Sequence, residues 1–334
     1  MSQTDLPRPR RRRRPLRWAA GFLVLVAVVG YFVVQRASND NGGVPYCTAS
    51  VDGKGGTKAS GQFEEMSPDQ AVNAATIAAV GVSKGMPDRA VTIALATAMQ
   101  ESALRNLDHG DRDSLGLFQQ RPSQGWGTPD QIMDPVYSAG IFYDRLAEIK
   151  GYSRLPLTVA AQKVQLSGFP QAYAKHEPDA TVLTSAFTGG GHLTCTGPAP
   201  TGSGDPAKVR AELTRLLGKN PLYTLPAGAG AGAGDPASGK ASGKGAGAAA
   251  ESEVTLVAKP GGGDRAARTG QVLAQWAVAG SRELGITRVS YGDKSWVAGK
   301  DGDRWRAPGA AGAGNGAGNP SVAAPGQVRI FLRG

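Results

Sequence analysis

The chain has 334 residues, enough for two or three domains, but its 48 Gly and 22 Pro concentrate after residue 196 and mark linkers, so less of it packs than the length suggests. The formal net charge is +10, and residues 1–36, with eight Arg and one Asp, supply +7 of it. The +3 left for the remainder is mild and gives no ground for a nucleic-acid-binding surface on the folded parts.

The basic cluster is an unbroken Arg run at 10–14 with Arg8 and Arg17 close by, in a tail spanning residues 1–17. Residues 18–34 follow without a charge, and a helix of that length spans about 25 Å, near the lower limit for the hydrocarbon core. This pattern predicts a transmembrane helix with the N-terminus cytoplasmic by the positive-inside rule and everything after it outside the cell membrane. The rival reading is a cleaved signal peptide, but Gln35-Arg36-Ala37-Ser38 is a poor cleavage site. One span without an acid or His inside it leaves no path for a metal transporter.

Residues 35–62 read as a Gly/Ser/Lys-rich stalk, interrupted by Pro45-Tyr46-Cys47, and residues 63–196 as a packed domain. Cys47 and Cys195, both beyond the apolar segment, bracket that domain and are expected to form a disulfide in an oxidising compartment. Ser67-Pro68-Asp69-Gln70 is a helix start, with a capping residue, Pro at the first position and Gln at the third, and the helix is expected to end near Gly85. A second helix is predicted over 88–102, with Ala90, Ala94, Ala98 and Glu101 along one face. Residues 107–127, rich in Gly, Asp and Pro, suit turns or a short hairpin. Asp134-Pro135 opens a helix with a stripe through Val136, Ala139, Tyr143, Leu146 and Ile149, and further helices are predicted over 158–166 and 179–187.

Residues 197–250 read as a linker with a short amphipathic helix at 208–217 and a tract at 227–250 too poor in large apolar groups to build a core. A small α+β module is predicted over 251–334. Its strands fall at 253–258, 286–291 and 327–332, and its helix at 265–284; residues 307–325 read as a low-complexity loop. Trp276, Trp296 and Trp305 are expected either to anchor its core or to form a wall- or partner-binding face.

Glu101 is the chain's candidate for chemistry. A carboxyl half-buried at the junction of an apolar helix and a polar insertion has its pKa raised by desolvation, as a general acid near neutral pH requires, although most helix-end glutamates are simply solvated. The surrounding residues add specificity. Glu101-Ser102 is followed by Gly116-Leu117-Phe118-Gln119, then by Asp134-Pro135-Val136-Tyr137 and Tyr143-Asp144-Arg145-Leu146. In order and spacing, residues 67–187 resemble the lysozyme-like lytic transglycosylase superfamily, in a membrane-anchored actinobacterial branch.

The resemblance implies a mainly α lysozyme-like domain with a small β or irregular insertion, and an enzyme that cleaves peptidoglycan glycan strands at the β-1,4 bond between N-acetylmuramic acid and N-acetylglucosamine. Glu101 would protonate the glycosidic oxygen. The substrate's acetamido group would then stabilise C1 in place of a protein nucleophile, and the muramyl 6-hydroxyl would close a 1,6-anhydro product. By the same resemblance Ser102 and Gln119 hold Glu101 and the sugar, and Gly116 and Phe118 line the groove. No cofactor is called for. Where the family carries Ala-Tyr-Asn-Ala-Gly, this chain has Ala160-Ala161-Gln162-Lys163-Val164-Gln165 and then Pro170-Gln171-Ala172-Tyr173, which makes Gln165 and Tyr173 the candidates for closing the cleft. A non-catalytic wall-binding or scaffold protein with a degenerate domain is the alternative that this departure leaves standing.

Three further features stay open at this point. Asp108-His109-Gly110-Asp111-Arg112-Asp113 reads as a solvated acidic turn, a second catalytic carboxylate or a cation loop, and it fails the EF-hand pattern. His176 and His192 stand alone, so no metal site is expected. Trp126 either stacks on a sugar or fills the core beneath the insertion.

Overall fold

Ser67 starts the first helix as its sequence dictates: its side chain accepts from the Gln70 backbone N–H while the Gln70 side chain accepts from the Ser67 N–H. The computed structural model describes residues 44–51, 65–166, 170–218, 222–226, 251–299, 304–307 and 323–334. The basic run, the predicted membrane segment at 18–34 and the tract at 227–250 lie outside them. Among the described residues no helix is long and apolar enough to cross a membrane.

Within the compact unit Pro45–Gly334, strand β1 (Cys47–Val51) precedes helix α1 (Pro68–Ser83) and helix α2 (Asp88–Ser102). A short α3 (Pro129–Ile132) leads into α4 (Pro135–Glu148), whose first turn is capped by the Asp134 carboxylate on Val136 N. Then come α5 (Leu157–Gln165), a 3₁₀ stretch (Pro170–His176), α6 (Glu177–Thr188), strand β2 (Gly191–Cys195) and α7 (Pro206–Leu217). The chain closes with β3 (Tyr223–Thr224), β4 (Ser252–Ala258), α8 (Gly263–Ala279), α9 (Ser281–Leu284), β5 (Ile286–Tyr291), β6 (Lys294–Val297) and β7 (Gln327–Leu332). The architecture is thus helix-rich with small sheets.

Several sequence expectations are corrected here. Part of the predicted stalk is strand: β1 pairs antiparallel with β2, and the pair Cys47 and Cys195 is joined by the expected disulfide. By loop closure across 148 residues that bond limits the unfolded chain by up to about 5 kcal/mol. Residues 197–218 are not a free linker: the short helix expected at 208–217 is α7, which buries Val209, Leu213, Leu216 and Leu217, and Asp205 caps it on Ala207 N. The predicted helix at 265–284 is broken at Gly280 into α8 and α9.

The five-stranded sheet has the order β3-β4-β7-β5-β6, with every neighbouring pair antiparallel. Its inward residues, Val254, Leu256, Val289, Val328 and Ile330, are fully buried. Helix α8 packs on this sheet with one side and on α1 with the other, so it is the layer between the sheet and the helical bundle. Polar contacts fix the join. Gln275, 2 % exposed, accepts from Leu193 N; Gln271 donates to Gly191 O; Arg268 reaches Asp88 and Met86 O at the start of α2. Trp276 and Trp296 are buried, and Trp305 donates to Leu193 O, so these rings take the anchoring role.

Helix α1 explains why the bundle closes. Ala71, Ala74, Ala75, Ala78 and Ala79 are fully buried along it, which marks a helix surrounded on all sides. Tyr143 of α4 reaches across and donates to Ile77 O at 3.0 Å, and Gly81 leaves it room: a Cβ there would sit 2.6 Å from the phenol oxygen.

Candidate active site around Glu101

Glu101 lies in the last turn of α2, where the helix meets the insertion. The chain leaves the helix through two consecutive non-glycine residues in the left-handed region, Ala103 at φ 52° and Leu104 at φ 61°. Each such residue costs on the order of 1 kcal/mol, so the surroundings must hold them. Gln70, already engaged in the cap of α1, donates its side-chain amide to Ala103 O at 2.8 Å, and the buried Asn73 donates to Leu104 O at 2.9 Å. The helix end that carries Glu101 is therefore pinned by α1.

The insertion folds back on this end as a small irregular hairpin, with bridges Leu107–Gly116 and Leu115–Gln120. Gly116 is required where it stands: its φ is 76°, and a Cβ would come within 2.7 Å of Ile132 O. Ser102 is buried, with its hydroxyl within hydrogen-bond distance of Ala98 O at 3.0 Å and Leu117 O at 2.8 Å. It fastens the hairpin to α2 and does not hold Glu101, since adjacent helical side chains point in different directions. Gln119, at φ 48°, donates within its own loop to the carbonyls of His109 and Gly116. Its expected hold on Glu101 is not seen. The Phe118 ring is fully buried and stacked on Phe142 with centroids 4.6 Å apart, so it supports the hairpin from below and does not line a groove.

The two residues taken from the divergent segment do meet the carboxyl. Tyr173, itself fully buried on the 3₁₀ stretch, donates its hydroxyl to Glu101 Oε1 at 2.6 Å. Gln165, at the end of α5, donates to Phe118 O at 2.6 Å and also bonds the Glu101 carboxyl. Burial pushes the Glu101 pKa above the ordinary glutamate value; the hydrogen bonds from Tyr173 and Gln165, which favour the carboxylate, oppose that shift without cancelling it. His176 Nε2 lies 3.2 Å from Gln100 Oε1 and ties the 3₁₀ stretch to α2, a contact for which the sequence carried no signal. Burial holds the His176 pKa below its usual value, which favours the neutral ring.

The acidic segment of the insertion does not converge on Glu101. Asp108 and His109 are exposed and bond each other. Asp113 accepts from Arg121 at 2.7 Å and from Ser123 N at 2.9 Å, which caps the short helix Pro122–Gln124, and the Arg121 guanidinium holds its pKa well below the usual carboxylate range. Among the described residues no group of three or more His, Cys, Asp or Glu side chains is placed to hold a metal. Trp126 is buried beneath the Arg145 guanidinium, which stands 3.5 Å from the ring centroid, as the core reading expects.

The chemical capacity of the site is thus that of a single protonatable carboxyl, half-buried at the seam of helix and insertion and held in one orientation by a buried phenol. A separate cleft of about 800 Å³ lies near the opposite end of α2, and Glu101 is not among the residues that line it. No protein-family model matches this chain, and no curated protein matches it either.

Proposed function

We propose that the protein is a membrane-anchored enzyme of the exterior that cleaves peptidoglycan glycan strands, with Glu101 as its acid and then its base. The observation that supports this reading is the Glu101 carboxyl itself. It is raised in pKa by burial, oriented by Tyr173 at 2.6 Å, and sits beside a hairpin whose sequence carries the Gly-Leu-Phe-Gln segment. The protonated acid donates to the glycosidic oxygen as the C1–O bond breaks. The substrate acetamido oxygen covers C1 from the other face. The carboxylate left on Glu101 then takes the proton of the muramyl 6-hydroxyl as that oxygen closes on C1, which returns the acid to its starting state. The phenol of Tyr173 can follow both states, because it donates to the carboxylate and stays in contact with the acid.

Mass spectrometry of purified sacculi incubated with the protein tests this. Release of 1,6-anhydro-muropeptides is the expected product. Reducing-end muropeptides would make the protein a hydrolase acting through the same residue. Sacculus binding with no soluble product, over a range of pH and salt, would contradict the proposal and leave a wall-binding protein.

A further inference from the structure

The cleft at the far end of α2 lies apart from Glu101. It sits where the C-terminal ends of α1 and α7 meet α4 and the start of α8. Its volume of about 800 Å³ falls within the range of small-molecule sites, which also favour the joins between packed parts of a chain. Pro87 and Glu101 are fourteen helical steps apart, so the cleft and the carboxyl are separated by roughly 20 Å.

Its lining divides sharply by chemistry. The floor is apolar, with Val80, Val82, Leu216 and Leu217 all nearly buried, and Met86 and Val136 half-buried beside them. The rim carries Lys84, Arg215, Arg265 and Arg268, and among the described residues no carboxylate lines the cleft. Three of these cations are steadied from outside it: Lys84 by Asp144, Arg215 by Asp134 and Glu212, and Arg268 by Asp88. Arg265 is exposed on the first turns of α8, and its side chain has no ion pair or hydrogen bond among the described residues. It supplies an uncommitted guanidinium, whose fork geometry suits phosphate or carboxylate.

A glycine gives the independent sign. Gly140 stands in the middle of α4 and lines the cleft, and a Cβ built on it would meet nothing within 4 Å. A mid-helix glycine costs stability relative to alanine, and no neighbour in the fold requires one here. An open backbone facing a cleft is what close approach by a ligand requires.

We propose that this cleft binds an anionic amphiphile, a molecule with an apolar chain laid on the Val80–Leu216 floor and a phosphate or carboxylate head held by Arg265 and its cationic neighbours. This stands apart from the Glu101 reading and survives its failure. The full-length chain, held in nanodiscs of neutral phosphatidylcholine, is titrated calorimetrically with octyl phosphate, octanoate, octyl glucoside and inorganic phosphate, against empty nanodiscs. One saturable site per chain is expected for octyl phosphate or octanoate, and the tighter of the two identifies the head group. Octyl glucoside and inorganic phosphate are each expected to bind at least tenfold more weakly. Arg265→Glu, at an exposed side chain, and Gly140→Phe, which fills the cleft from an unstrained helical position, are each expected to weaken binding at least tenfold, with circular dichroism showing both variants folded. No saturable heat beyond empty nanodiscs would overturn the proposal. So would equal affinity for octyl glucoside or for inorganic phosphate, or binding indifferent to both variants.

Discussion

Glu101 and Tyr173 are brought together across 72 residues of sequence, and their hydrogen bond tempers an acid whose pKa burial has raised. Burial raises the carboxyl pKa, and the phenol lowers it by favouring the charged form. Tyr173→Phe removes a lowering influence, so the pKa rises further. The acid form then persists to higher pH, and the alkaline limb of the rate profile for glycan release shifts upward. A pH–rate comparison of the two proteins reads this directly, and an unmoved limb would show that another group titrates there. The turn that follows carries its own test. Ala103 sits at φ 52°, where glycine is at ease, so Ala103→Gly is expected to gain about 0.5–1 kcal/mol after the added flexibility of the unfolded chain is counted. The midpoint of urea unfolding measures it, and a loss of stability would mean that the alanine methyl is packed in a way its backbone angle does not suggest.

Helix α1 shows how tightly one element depends on another. A Cβ at Gly81 would stand 2.6 Å from Tyr143 Cζ and Oη, and the ring is locked by its bond to Ile77 O. Gly81→Ala is therefore expected to destabilise the protein by about 1–3 kcal/mol, even though alanine is the better helix former, as overpacking does in tight cores. Paired with Tyr143→Phe it should recover part of the loss, because that change removes Oη, one of the two atoms at 2.6 Å, and releases the ring from Ile77 O so that Cζ can shift; denaturation of the double variant checks this. The ends of these elements were legible in the sequence because capping is local: Ser67-Pro68-Asp69-Gln70 and Asp134-Pro135 declare helix starts within four residues. The 88–102 helix and the strands at 286–291 and 327–332 follow from periodicity in the same way. The pairing of β1 with β2 was not legible beyond its disulfide, because five-residue strands in a Gly- and Ser-rich setting gain their order from each other.

At the scale of the molecule, the C-terminal strands and α8 are not a detachable appendage. Helix α8 covers one side of α1, and the buried Gln275 satisfies Leu193 N, so removing residues 251–334 would strip an apolar face and leave a buried backbone donor without its partner. A chain ending at residue 250 is expected to aggregate or to lose cooperative melting, as judged by calorimetry and light scattering; a soluble, sharply melting product would show that the bundle stands alone. The sequence announced α1 as a helix but not its burial on every side, where even Asn73 and Thr76 are covered. What covers it could not be read, because the partner helix α8 lies more than half the chain length away in sequence. The candidate site divides in the same way. The position of Glu101 at a helix end was visible in its neighbours, and Tyr173 and Gln165 were named from the divergent segment, whereas their contact with the carboxyl itself and the inward turn of Phe118 depend on how distant segments pack.

The most direct test of the account is the rate of soluble muropeptide release from sacculi by the wild-type chain and by Glu101→Gln, with circular dichroism confirming that both are folded. Loss of a general acid is expected to cut release by at least about 100-fold while sacculus pull-down persists. Release by Glu101→Gln at the wild-type rate would contradict the assignment of this carboxyl as the proton donor.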